Sequence, residues 1–298
     1  MSSPVRPPLN PELASVHSTV PFIDIGTPSA LSSYRTAIVP IFTFENALQG
    51  KLSTIATTEL TIPGPAGPMI ATIFRSRNPT RSISETPGIL HIHGGGLATG
   101  SRFLGLTMLD WVEELGTVIL TAEYRLAPEH PQPAALEDSY AALQYMSAHS
   151  EELGFNLEKL FVAGGSAGGT LAAGVTLLAR DRQGPKLAGQ VLMYPWVSDA
   201  MTTHSIEQFG DISPVTKESL ATVNDYTFAA SLEGLPPTLI DVGEADVFRD
   251  QAIEYASKLW RDGVSMSCMF GRERIMVMIL LCQMLKSVRR LSRRGWSG

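Results

Sequence analysis

From residue 54 onward the chain alternates between short apolar, β-branched runs and longer helix-like stretches. Residues 54–62 and 69–75 read as two strands, and the turn-rich Pro63-Gly64-Pro65-Ala66-Gly67-Pro68 between them predicts a hairpin. Buried-type strands are expected at residues 88–93, 117–124, 159–163, 190–196, 238–243 and 264–270. Helix-like segments fall at 107–115 and 134–149, from the glycine-rich run to about 182, and at 251–262. Strands alternating with helices imply an α/β fold: a mostly parallel sheet covered by helices on both faces. In such sheets ligands bind beyond the carboxyl ends of the strands. Residues 1–50 are rich in Pro and Ser and predict short helices and loops over the main body. Residues 199–235 are polar and broken, with helical stretches. No internal repeat is found.

The densest local signal is Gly164-Gly165-Ser166-Ala167-Gly168-Gly169, entered by the run Leu160-Phe161-Val162-Ala163 and left by Thr170-Leu171-Ala172-Ala173. A strand, a turn of small residues and a helix form the context in which Gly-x-Ser-x-Gly becomes a nucleophile elbow. Glycines are required because the bend is too tight for side chains beside the serine. Ser166 then points its hydroxyl into a cleft, and the Ala167 amide opens a helix where an oxyanion can be held. A second glycine run, Gly94-Gly95-Gly96, also follows a strand and is expected near the first.

Composition narrows the class. A chain of 298 residues with 44% hydrophobic and 17% charged residues is one large domain, or one domain with a lid. The net charge of −6 gives no basic footprint for nucleic acid. Charge is uneven: residues 271–298 hold seven Lys or Arg against one acid, leaving about −12 for the first 270. Two cysteines, Cys268 and Cys282, argue against a disulfide framework and fit a reducing compartment. The first residues lack the apolar stretch of a signal peptide, so a cytoplasmic location is expected. The longest apolar run, 275–282, is too short to span a bilayer.

Ester cleavage needs a nucleophile, a base, an acid that orients the base, and donors for the oxyanion. Ser166 supplies the first. The backbone amides around Gly95 and Gly96, with that of Ala167, supply the donors, and Asp246, just past the strand ending at Gly243, supplies the acid. The order serine then aspartate suits an α/β sheet of this kind.

Four motifs occur in sequence: His93-Gly94-Gly95-Gly96, Tyr124-Arg125-Leu126-Ala127-Pro128-Glu129-His130-Pro131, Gly164-Gly165-Ser166-Ala167-Gly168-Gly169 and Asp246-Val247-Phe248-Arg249-Asp250. In these the chain resembles the hormone-sensitive-lipase branch of the α/β-hydrolases, from about residue 50 to 270. The resemblance implies an α/β-hydrolase fold with a small helical lid and carboxylesterase-type hydrolysis of small acyl esters without a cofactor. It implies an oxyanion hole at Gly94, Gly95, Gly96 and Ala167. It places a cap in residues 1–50 and a hydrolase domain in 51–298, with a lid insertion at about 199–235.

The chain departs from that pattern at one point. The family places its base histidine after the last strand, in a His-Gly-Phe context about thirty residues past the acid. Here no histidine follows His204, and the pattern breaks at Gly271, where the charge balance also flips. A displaced reading frame or an intron misread leaves a break of this kind, and residues 271–298 are an atypical tail. Of the six histidines, His93 is expected to buttress the glycine loop and His91 to sit in a strand. His130 belongs to a structural turn, and His17 and His149 read as surface positions. His204, in the lid, is a poor stand-in for the base. Glu244 is a weaker alternative to Asp246, Glu137 and Asp138 read as a helix face, and Arg249 and Asp250 read as braces of the helix that follows. Without the base Ser166 is a poor nucleophile, so weak turnover or none is expected. The competing expectation is a non-catalytic ligand-binding protein on the same fold. The plant gibberellin receptors, which resemble this branch, keep the serine and lack the working histidine.

Overall fold

The computed structural model describes residues 5–6, 27–38, 42–48, 51–198, 202–210 and 231–271. His17, Cys282, most of the 199–235 insertion and the tail beyond Gly271 lie outside them. Among the described residues, eight strands form one sheet in the order β1-β2-β4-β3-β5-β6-β7-β8. Strands β1 (Ile55–Gly64) and β2 (Gly67–Ser76) are the expected hairpin, paired antiparallel from Ile55↔Ser76 to Gly64↔Gly67. β2 meets β4 (Val118–Ala122) antiparallel. The remaining strands, β3 (Gly88–Ile92), β5 (Leu160–Gly165), β6 (Gly189–Met193), β7 (Thr238–Gly243) and β8 (Met266–Gly271), run parallel. Every residue of β3 and β4 is buried, as expected of strands covered on both faces.

The described helices are α1 (Pro28–Ile38), α2 (Phe44–Leu48), α3 (Leu109–Leu115), α4 (Ala134–Ala148), α5 (Ser150–Leu153), α6 (Ala167–Asp181), α7 (His204–Phe209) and α8 (Arg249–Arg261). α6 is buried almost all round, which suits its Ala- and Gly-rich sequence. β6 stops at Met193, short of the run expected to reach residue 196, because Tyr194 turns the chain with φ 37°.

Asp138 differs from its reading as part of a helix face. Its side chain is 1% exposed and accepts from Arg125 Nε at 2.8 Å, Arg125 Nη2 at 2.8 Å and the Arg125 amide at 3.0 Å. A buried carboxylate needs such partners, and this pair ties the end of β4 to α4. Glu137 stays on the surface against Arg182.

The register brings the glycine runs together. Ile92 at the end of β3 pairs with Gly164 in β5, and Gly165 pairs with Met193 in β6. Both glycine runs therefore leave the sheet side by side at its carboxyl edge.

Candidate active site

Ser166 sits on the bend between β5 and α6 with φ 55° and ψ −127°, a left-handed conformation that costs a non-glycine residue about 1–3 kcal/mol. Four contacts hold it there, one of them from the Thr170 hydroxyl, which donates to Ser166 O at 3.4 Å. Its amide donates to Met193 O at 3.0 Å, and its carbonyl accepts from the Thr170 amide at 3.1 Å and, at 3.5 Å, from the Trp196 amide. Its hydroxyl makes no capping bond to the helix it opens. It is nearly buried, at 7% exposure.

The flanking glycines are demanded by backbone proximity. A β-carbon on Gly168 would overlap Ile92 O and lie 2.6 Å from His93 O. One on Gly164 would overlap Gly168 O.

The loop 94–96 stands against this bend. A β-carbon on Gly94 would lie 2.9 Å from Gly165 O and 3.5 Å from Ser166 Cβ. Gly95 and Gly96 have φ 110° and 62°, and among the described residues their amides donate to no acceptor. The Ala167 amide is likewise one of the orphan donors at the start of α6. His93 braces the loop from beneath. Its Nδ1 bonds Gly94 O at 2.7 Å, its ring stacks on Tyr124 at 4.0 Å, and the Tyr124 hydroxyl donates to His93 O at 2.9 Å.

Asp246 lies three residues past β7, 1% exposed, and its Oδ1 accepts from the Phe248 amide at 2.8 Å. Glu244, its alternative, is half-buried. Tyr194, which the sequence reading passed over, stands between the two halves of the site. Its hydroxyl would lie 2.7 Å from a β-carbon on Gly165, and burial, with Asp246 and Asp241 nearby, raises its pKa. The phenol therefore stays protonated and is no substitute base.

None of the described histidines hydrogen-bonds Ser166. His91 faces Thr121 Oγ1 at 3.4 Å within the sheet, and His149 stacks on Tyr145. His130 is exposed. His204, on α7, is also exposed and lies 3.8 Å from Glu207. Among the described residues no cluster of His, Cys, Asp or Glu could hold a metal ion. No described helix is long and apolar enough to cross a membrane.

Two pieces outside the sheet attach to the site. Helix α7 bonds the acid loop: the Ser205 amide donates to Asp250 Oδ2 at 2.7 Å and the Ser205 hydroxyl to Val247 O at 2.9 Å. Arg249 bonds Asp250 within α8, as expected of a brace, and also reaches Gln208 of α7 at 3.0 Å. Helix α1 reaches the glycine loop through Arg35, which donates to Ala98 O at 2.7 Å.

Burial lowers His93 to about 4 and His91 to about 3 from an ordinary 6.5. Both imidazoles are thus neutral in the folded chain and protonate more readily when it unfolds. Stability is fully present above pH 6.5 and is lost as pH falls from there toward 4 and 3, by about 1.4 kcal/mol per pH unit for each ring. Denaturant melts between pH 7.5 and 5 are expected to show this loss, and His91→Asn should flatten it. A stability that is level from pH 7.5 to 5 contradicts the assignment.

A family model described as alpha/beta hydrolase fold matches residues 89–279. The esterase LipI of Mycobacterium tuberculosis is 31% identical over 280 residues, covering 87% of this chain and 84% of LipI. The carboxylesterase NlhH of the same organism is 34% identical over 202 residues, covering 60% of this chain and 62% of NlhH, so the chain spans less than two thirds of that relative. Among solved structures, a bacterial heroin esterase superimposes with a TM-score of 0.81 at 31% identity, covering 96% of this chain and 95% of its own.

Proposed function

The chain belongs to the hormone-sensitive-lipase-like carboxylesterase family of the α/β-hydrolase fold, and from that premise we propose that its cleft is built to hydrolyse carboxylic esters through Ser166. The observation that carries the reading is the strained, uncapped Ser166 beside the 94–96 loop, whose Gly95 and Gly96 amides are unpartnered among the described residues. The serine oxygen attacks the acyl carbon, and the carbonyl electrons move onto its oxygen. The amides of Gly95, Gly96 and Ala167 hold that charge, with Gly94 shaping the loop. Expulsion of the alcohol leaves an acyl-serine that water cleaves. Each half-reaction needs a proton acceptor, and Asp246 would orient one.

Residues 1–50 and about 199–235 are proposed as the cap. The bonds of α1 to the glycine loop and of α7 to the acid loop support this division.

No histidine follows His204 in these 298 residues. Among the described residues no histidine bonds Ser166 either, so the serine proton is proposed to pass to solvent and the cleft to turn over slowly or not at all. Hydrolysis of p-nitrophenyl butyrate is expected to stay near the buffer rate and to change little in Ser166→Ala. Robust turnover abolished by that substitution overturns the silent reading and supports the nucleophile. An intact cradle without a base also favours a second reading, a ligand-holding pocket. A small carboxylic acid at 100 times its Kd would then stabilise the fold by about 2.7 kcal/mol, measurable as a rise in Tm.

A further inference from the structure

We propose that Arg35 of α1 is a positioning residue for the glycine loop, fixing from outside the sheet the turn that aims the Gly95 and Gly96 amides at Ser166. The inference rests on the acyl-transfer reading only for the second of its two readouts.

The loop has a conformation it cannot hold alone. Gly95, Gly96 and Leu97 are consecutive left-handed residues, at φ 110°, 62° and 61°, and Leu97 lacks the freedom of glycine. The turn is closed on Gly95 O, which accepts from the Ala98 amide at 3.2 Å, the Thr99 amide at 2.9 Å and Thr99 Oγ1 at 2.8 Å. Leu97 O in turn accepts from the Ala127 amide at 2.9 Å, which couples the loop to the 127–129 turn.

One guanidinium grips both turns. Arg35 Nε donates to Ala98 O at 2.7 Å and Nη2 to Ala127 O at 2.7 Å. Glu129 holds the same fork with both oxygens, at 2.6 Å from Nη1 and 2.9 Å from Nη2. A planar fork suits this task because its donors are rigidly spaced, whereas a lysine ammonium presents a single point of charge. The Arg35 and Glu129 side chains are 27% and 55% exposed, so the ion pair itself adds little to global stability. Its leverage is local: it fixes one carbonyl in the turn that carries Gly95 and one in the 127–129 turn bonded to it.

Segment-resolved amide hydrogen exchange and affinity for phenylboronic acid test the role in the full chain. The boronate takes the Ser166 oxygen as its fourth boron ligand, and the serine proton passes to buffer. In Arg35→Met the bonded amides of Ala98, Thr99 and Ala127 are expected to exchange about tenfold faster, while those of β3 and β5 keep their rates. Arg35→Lys is expected to fall between. Boronate affinity should drop about tenfold with Tm moved by no more than a few degrees. Unchanged exchange at Ala98 and Thr99, or equal acceleration across the sheet, overturns the proposal. Equal boronate affinity in parent and Arg35→Met also overturns it. If exchange responds as expected and the boronate binds neither protein, the latch is supported and the Ser166 reading is the one that fails.

Discussion

Ester turnover rises by a factor of about 10³ to 10⁶ when residues 272–298 are replaced by a segment carrying a histidine in a His-Gly-Phe context. The upper figure is what removing the base histidine alone costs a serine hydrolase in kcat. Register says where the new residue emerges. Gly271 at the end of β8 pairs with Gly243 at the end of β7, and Asp246 lies three residues past Gly243. A histidine a few residues beyond β8 therefore leaves the sheet beside the acid loop, on the same edge as Ser166. The gain should vanish in the chimera carrying Ser166→Ala. A chimera that melts at the temperature of the parent, stays as silent as the parent, and is no worse for losing Ser166 would remove the catalytic reading of the cleft.

The second large effect concerns the bend itself. Gly164→Ala and Gly168→Ala are each expected to cost about 3 kcal/mol or more, at the top of the range for overpacking. The new methyl group would meet backbone oxygens that have nowhere to move: Gly168 O in the first case, Ile92 O and His93 O in the second. Gly174→Ala is the control. It lies on the same buried helix as Gly168, but its methyl group would meet the Leu136 side chain, nearest at Cδ1, 2.9 Å away at the flexible end. Its replacement should be nearly neutral, helped by the higher helix propensity of alanine. Urea unfolding of the three variants separates the cases. Equal midpoints would mean that helix α6 can slide away from β3.

Much of this was legible because the signals are local. Period, turn residues and glycine spacing located all eight strands, and the edges erred mainly where one residue turned the chain, as at Tyr194. Ser166 and the 94–96 loop were legible because a sharp bend and a close backbone approach both require glycine. What the sequence could not reveal depends on partners distant in the chain. Asp138 looks like any acid on a helix until the fold brings Arg125 against it across thirteen residues. Arg35 lies in a Ser-rich stretch with no periodic signature, and its partners are backbone carbonyls 63 and 92 residues away, which leave no trace in side-chain pattern. Tyr194 reads as the end of a strand, and only its turn places the phenol between elbow and acid loop.

The order of the strands carries a further consequence. Ser166 and the glycine loop hang from β5 and β3 in the interior of the sheet, while β8 is the outermost described strand on its side. Under the proposed chemistry, recognition and proton handling would be inherited from different parts of the architecture. A lesion at the margin can strip away chemistry and leave a shaped, foldable receptacle, so a lineage can lose a reaction in one step and keep a receptor to build on.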